Sequence, residues 1–294
     1  MRYGSLPPLG RPGDPNVEDI KMPEYDFSGK VAFVTGAARG QGRSHALRYA
    51  ESGADVVAVD IAENIEDVVY DLATEDELYS LKDEIEDMGQ EALAIKADVA
   101  ERDEVVAAVE QTLDEFGHID MLANNAGINT MGAMLELEEK RWNELMETDL
   151  KSVWLCSKHV GQHMVERGEG GKIINTSSSM GIIGAPMMGH YSAAKHGVLG
   201  LTKTLALELA EHDINVNAVC PTAVDTPLIQ KNIDIFGEEV VEGQEEVSGP
   251  SNMFGNNGMV EAEDVTEAYM WLSSDAARYV TGTALKVDGG LTAK

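Results

Sequence analysis

Seven short apolar runs, rich in Val, Ile and Ala, recur along the chain, and stretches with helical spacing separate them. The runs are "KVAFVTG", "DVVAVD", "ALAIKADV", "IDMLANNAG", "GKIINTSS", "INVNAVCPTAV" and "ALKVDGG". Most are continuously apolar rather than alternating, the pattern of strands buried on both faces. Between them lie "GRSHALRYAESGA", an acidic region over 63–90, "RDEVVAAVEQTLDEFG", and predicted helices over 138–168, 190–211 and 262–273. Strand and helix in strict alternation require right-handed crossovers, hence an α/β fold: one Rossmann-type, doubly wound parallel sheet with helices on both faces. Residues 1–24 hold five of the nine prolines and show no apolar period, so they read as a flexible arm preceding one domain over 25–294. Ligands of such a sheet sit beyond the carboxyl ends of the strands, near the point where strand order reverses.

Charge narrows the function. Fifty-two acids oppose 22 bases, a formal net charge of −30. Nucleic acid and anionic membrane are excluded as partners for the molecule as a whole. The acids are spread through most helical segments and read as a hydrated surface suited to high salt, where self-repulsion is screened. No run of 18 apolar residues is present and the N-terminus has no apolar signal core, so a cytoplasmic location is expected. Cys156 and Cys220 stand far apart with no zinc spacing, which points to a reducing environment and no metal.

The ends of the runs carry polar and glycine motifs. The first enters "TGAARGQGRS", where Gly36, Gly40 and Gly42 form a glycine turn opening a helix, with Arg39 and Gln41 inside it. Lacking side chains, such a turn lets backbone N–H groups approach a pyrophosphate at the positive end of the helix dipole. The second ends at Asp60–Ile61, 18 residues past Gly42, where a carboxylate can accept from both ribose hydroxyls and repel a 2′-phosphate. Arg39 pulls toward that phosphate, but direct carboxylate–phosphate contact is costly, so NAD is preferred over NADP. A helix N-cap is the competing role for Asp60. The third run ends at Asp98–Val99, suited to an adenine amino group and ring, and the fourth at Asn125–Ala126–Gly127, small enough to pass close to the cofactor. Tyr191 precedes Lys195 by four residues, so a phenol and an ammonium share one helix face. A neighbouring cation pulls a phenol's pKa down from about 10, as an acid/base tyrosine needs. Ser178 lies thirteen residues before Tyr191. Strand alternation would turn its neighbours Ser177 and Ser179 away from it. His190 and His196 read as packing or surface residues.

Taken in this order, the glycine turn, "NNAG", the serine and Tyr-x-x-x-Lys resemble the short-chain dehydrogenase/reductase superfamily over residues 28–291. The resemblance implies that Tyr191 is the general acid/base, that Lys195 holds the nicotinamide ribose and favours the tyrosinate, and that Ser178 hydrogen-bonds the substrate oxygen. "PTAVDTP" is similar to the family's carboxamide-binding segment at Pro221, Val224 and Thr226, with Thr222 in place of a glycine. The fourth member of the family's catalytic set is an asparagine that supports a helix kink and a proton-relay water; here Asp149 stands in its place, within "TDLKSVW". The relay is expected to survive on a backbone carbonyl. The long interval after Asp60, with "GAARGQGRSHA", resembles the carveol-dehydrogenase-like, mycofactocin-associated subgroup, and implies a segment folded over the adenosine end that slows cofactor exchange. The implied activity is NAD-dependent interconversion of a secondary alcohol and its ketone, a terpenoid or cyclic alcohol first, a sugar, polyol or 3-oxoacyl thioester next. An NAD-binding regulator on the same fold is the non-enzymatic alternative. The family also implies a homotetramer, and residues 226–260 are expected to act as a substrate lid.

Overall fold

Each strand of the computed structural model, which describes residues 24–226 and 259–293, pairs in parallel with its neighbours. Strands β1 (Val31–Thr35), β2 (Asp55–Asp60), β3 (Ala92–Lys96), β4 (Met121–Asn124), β5 (Gly171–Thr176), β6 (Ile214–Pro221) and β7 (Ala284–Val287) form one seven-stranded sheet, in the order β3-β2-β1-β4-β5-β6-β7. The order reverses between β1 and β4, where Val34 lies opposite Ala123. Strand ends there cannot be covered by their own crossovers, and a crevice opens.

Helices α1 (Gly40–Glu51), α2 (Glu75–Asp87) and α7 (Ala262–Ser273) cover one face of the sheet. There Tyr49, Leu81 and Tyr269 pack on Ala32, Val34 and Val56. Helices α3 (Arg102–Phe116), α5 (Ser152–Arg167) and α6 (Gly189–Leu209) cover the other. There Val105, Val160 and Ala206 meet Val31, Phe33 and Val57. Adjacent residues of β1 therefore serve opposite cores, which explains why its sequence is apolar without alternation.

Two helical expectations need correction. The acidic region over 63–90 is helical only from Glu75, because Thr74 and Glu77 close a capping box that fixes the start there. Residues 61–73 instead form an irregular loop pinned by Asn64, whose Oδ1 accepts from the Leu72 amide at 2.7 Å. The predicted helix over 138–168 is α4 (Glu139–Met146) and α5 joined by a π-helical turn, Glu147–Lys151. That extra residue in the turn swings Asp149 to the inside, where it is fully buried. The expected arm over 1–24 and lid over 226–260 lie almost wholly outside the described residues.

Candidate active site

The glycine turn between β1 and α1 is set by packing as much as by any ligand. Gly36 has φ +62°, and a Cβ there would sit 2.8 Å from the Ala126 Cα. At Gly42 a Cβ would meet the Gly36 carbonyl at 2.0 Å and Asn125 Nδ2 at 2.6 Å. At Gly40, φ +56°, a Cβ would meet nothing closer than Thr226 at 3.4 Å. Asn125 clasps the turn from β4: its Nδ2 donates to the carbonyls of Thr35 and Gly36 at 3.1 and 3.2 Å. The pairing that brings β1 and β4 together thus also shapes the turn.

A cleft of roughly 880 Å³ open to solvent lies along this turn. Gly36, Arg39, Gly40 and Gln41 form one wall, Asp60 and Ile61 the end of β2, Asp98 and Val99 the end of β3, and Ala126 and Gly127 the end of β4. Asp60 is no helix cap. Its two carboxylate oxygens accept from the amides of Ala38 and Ala62 at 3.0 Å each, which fixes the carboxylate across the cleft end. Burial outweighs these bonds and pushes its pKa above the usual range. Asp98 is held similarly, accepting from the Ala100 amide at 2.8 Å. Gln41 Oε1 is buried in the cleft wall without a hydrogen-bond partner. A dinucleotide fits this donor and acceptor set: glycine-turn amides for phosphates, Asp60 for ribose hydroxyls, Asp98 and Val99 for adenine.

The second cavity, of about 560 Å³, shares Gln41, Asn125, Gly127 and Thr226 with the first. It holds Ser178, Tyr191, Lys195 and Asp149 together with Pro221 and Val224, so the four residues expected to be catalytic line one cavity. Pro221 ends β6 opposite Val287, and Val224 is fixed by a bridge to Val260. Ser178 Oγ accepts from the Met180 amide at 3.1 Å and lines the same cavity as the Tyr191 phenol. Lys195 Nζ lies 5.5 Å from the Tyr191 ring centroid and donates to the Thr176 carbonyl at 3.2 Å.

Strand alternation does not separate the three serines, since β5 ends at Thr176. Ser177 is turned into the fold and donates to the Lys195 carbonyl at 2.9 Å, while Ser179 opens a 3-10 turn. Ser178 is left facing the tyrosine. His190 is a packing residue, buried with Nε2 2.8 Å from Thr130 Oγ1. The Nδ1 of His196 is 2.8 Å from the Ser192 carbonyl one turn back.

Asp149 departs most from expectation. Its Oδ2 lies 2.9 Å from Lys195 Nζ, with 0% and 4% side-chain exposure. Its Oδ1 accepts from the Ile128 amide at 2.8 Å. Gly127 makes room, because a Cβ there would meet Asp149 Oδ2 at 3.0 Å. The sequence placed Tyr191 beside a cation alone; the fold places it beside an ion pair. Burial raises the Tyr191 pKa, Lys195 pulls it down, and Asp149 pushes it back up, with a net rise.

Tyr70 is the site residue that sequence reasoning missed. It comes from the 61–73 loop, is 4% exposed, and lines the dinucleotide cleft. Its hydroxyl accepts from the Asn129 amide at 2.9 Å. Val68 and Tyr70 pack on Ile128, Leu145 and Ala194, with Tyr191 against the same cluster. Lys140 of α4 anchors the loop through Glu66 and Asp67, both at 2.8 Å. A tyrosine in a run of acids carries no periodic signal, so only the fold reveals it.

Comparison with known proteins agrees with this geometry. A family model described as short chain dehydrogenase matches residues 30–234. The (−)-trans-carveol dehydrogenase of Rhodococcus erythropolis is 40% identical over 272 residues, spanning 90% of this chain and 98% of that protein. The 2,5-dichloro-2,5-cyclohexadiene-1,4-diol dehydrogenase of Sphingobium indicum is 36% identical over 269 residues, 91% of this chain and 99% of that one. A crystal structure of carveol dehydrogenase from Mycobacterium avium in complex with NAD aligns with TM-score 0.85 at 35% identity, covering 92% of this chain and all of the other.

Proposed function

Because the chain belongs to the short-chain dehydrogenase family, we propose that it is an NAD-dependent oxidoreductase interconverting a secondary alcohol, terpenoid or otherwise cyclic, with its ketone. The observation that carries this reading is the meeting of Ser178, Tyr191 and Lys195 in a cavity continuous with the dinucleotide cleft. When bound, NAD supplies the hydride acceptor for oxidation, and its reduced form the donor for reduction. In the oxidative direction the Tyr191 phenolate takes the hydroxyl proton as the hydride leaves the carbinol carbon. In the reductive direction the phenol returns that proton to the carbonyl oxygen. Ser178 donates to the substrate oxygen where charge develops. Lys195 steadies the ribose and the phenolate, and Pro221, Val224 and Thr226 border the nicotinamide end.

The names of the relatives support a ring-bearing substrate: one acts on carveol and another on a cyclohexadiene diol. Intact Ser178, Tyr191 and Lys195 count against a silent regulator. A thioester carried on an acidic carrier protein would meet a chain of net charge −30, which disfavours that option. The 61–73 loop over the cleft supports slow cofactor exchange. We place the enzyme in the cytoplasm as a homotetramer with a salt-adapted surface; no helix among the described residues is long and apolar enough to cross a membrane.

The test is NADH formation with (−)-trans-carveol, cyclohexanol and a polyol panel at high salt, alongside mass analysis of any co-purified nucleotide. Tyr191→Phe should lower turnover about 10²-fold to 10⁴-fold while dinucleotide binding is retained. A variant as active as its parent refutes the assignment.

A further inference from the structure

The ion pair beneath the catalytic tyrosine has a consequence for the pH at which the site works. Asp149 is 0% exposed and is held on two sides, by the Ile128 amide at 2.8 Å and by Lys195 Nζ at 2.9 Å. A Cβ at Gly127 would come within 3.0 Å of Oδ2, so the glycine leaves the room that the carboxylate takes. An asparagine could fill the same volume and accept the Ile128 bond, but it would leave the ammonium uncompensated.

We propose that Asp149 is a positioning residue that sets the working pH of the site: by pairing with Lys195 it cancels most of the cation's pull on Tyr191 and keeps the phenol protonated to higher pH. This rests on the acid/base reading of Tyr191 given above.

The groups facing Tyr191 from each packed element agree on the sign. From α6 comes Lys195, which favours the phenolate, and from the π-turn comes Asp149, which opposes it. The Ser178 hydroxyl, just after β5, lowers the Tyr191 pKa and so favours the phenolate. Cys220 of β6 is kept as a neutral thiol, its pKa pushed up to about 11 by burial. Tyr70 of the 61–73 loop is neutral as well, burial raising its pKa. Among the described residues, Lys195 is therefore the cation that acts on Tyr191, and Asp149 is its direct counter-ion. A lone cation at this range lowers an acid's pKa by about 1–3 units, so removing the counter-charge should restore about one unit or more.

The experiment measures kcat/KM for oxidation of (−)-trans-carveol against pH in the parent and in Asp149→Asn. The acid limb should move down by about one pH unit or more in the variant, roughly a tenfold gain in relative rate on the limb. Near-ultraviolet tyrosinate absorbance, taken as the difference between each protein and its Tyr191→Phe counterpart, should show the same downward displacement without turnover. A limb and titration that stay put, or move upward, overturn the proposal. Should Asp149→Asn not fold, the parent alone decides. A parent Tyr191 titrating near or above the free phenol value supports the proposal, and one titrating near neutrality overturns it. If Tyr191→Phe keeps full activity, the acid/base reading itself has failed, an outcome distinct from an immobile Asp149→Asn profile.

Discussion

Replacing Gly42 with alanine tests whether the glycine turn is built by packing. The new Cβ would lie 2.0 Å from the Gly36 carbonyl oxygen, a backbone atom, where real contacts begin near 3.0 Å. The turn must therefore retreat by about 1 Å, and the Asn125 amide, 2.6 Å away, must move with it. Overpacking of this kind costs about 3 kcal/mol at the upper end of its range, while alanine in a helix returns about 1 kcal/mol over glycine. A net loss of about 2 kcal/mol follows, which should lower a thermal midpoint by roughly 3 °C for a chain of this size. The displaced turn would also lose one or two amide bonds to the pyrophosphate, so NAD affinity should fall about 10-fold to 100-fold. Gly89→Ala is the control: nothing lies within 4 Å of its Cβ position, although φ is +91°. It should cost about 1–2 kcal/mol through backbone strain and leave NAD binding alone. Denaturant midpoints and calorimetric NAD titration on the three proteins give the comparison. If Gly42→Ala matches the parent in both, the turn is not packed as described.

Other outcomes follow from the same contacts. Asp60→Ala removes the acceptor of two backbone amides, so it should destabilise by about 1–3 kcal/mol and narrow the NAD-over-NADP ratio of kcat/KM; an unchanged ratio would show that Asp60 does not select the cofactor. Tyr70→Phe strips the Asn129 amide of its acceptor and should speed dinucleotide release in displacement experiments, whereas an unaltered release rate would separate the 61–73 loop from cofactor retention. With a net charge of −30, the unfolding midpoint should climb with added KCl, and stability undiminished in dilute buffer would refute salt adaptation of the surface.

The sheet was legible because its signal is local. Continuous β-branched runs such as "DVVAVD" mark strands buried on both faces, and Asp55–Asp60 forms as read. The tyrosine and lysine were legible for the same reason, since a four-residue spacing on a helix fixes a shared face wherever the helix goes. The glycine turn, Asp60, Asp98 and Asn125 were found from their places at strand ends, which the α/β alternation alone dictates. What neighbours each group was a different matter. That Ser178 rather than Ser177 faces Tyr191 depends on where the chain leaves β5. That Tyr70 reaches the cleft depends on a loop without period, held by contacts with Asn129 and Lys140 that lie far along the chain. That Asp149 holds Lys195 depends on a π-turn meeting α6 across the fold. Sequence determined the elements and the chemistry each strand end carries, because propensity and periodicity act over a few residues. Only tertiary packing decided which charges lie 3 Å apart, and electrostatic environment is a property of those distances.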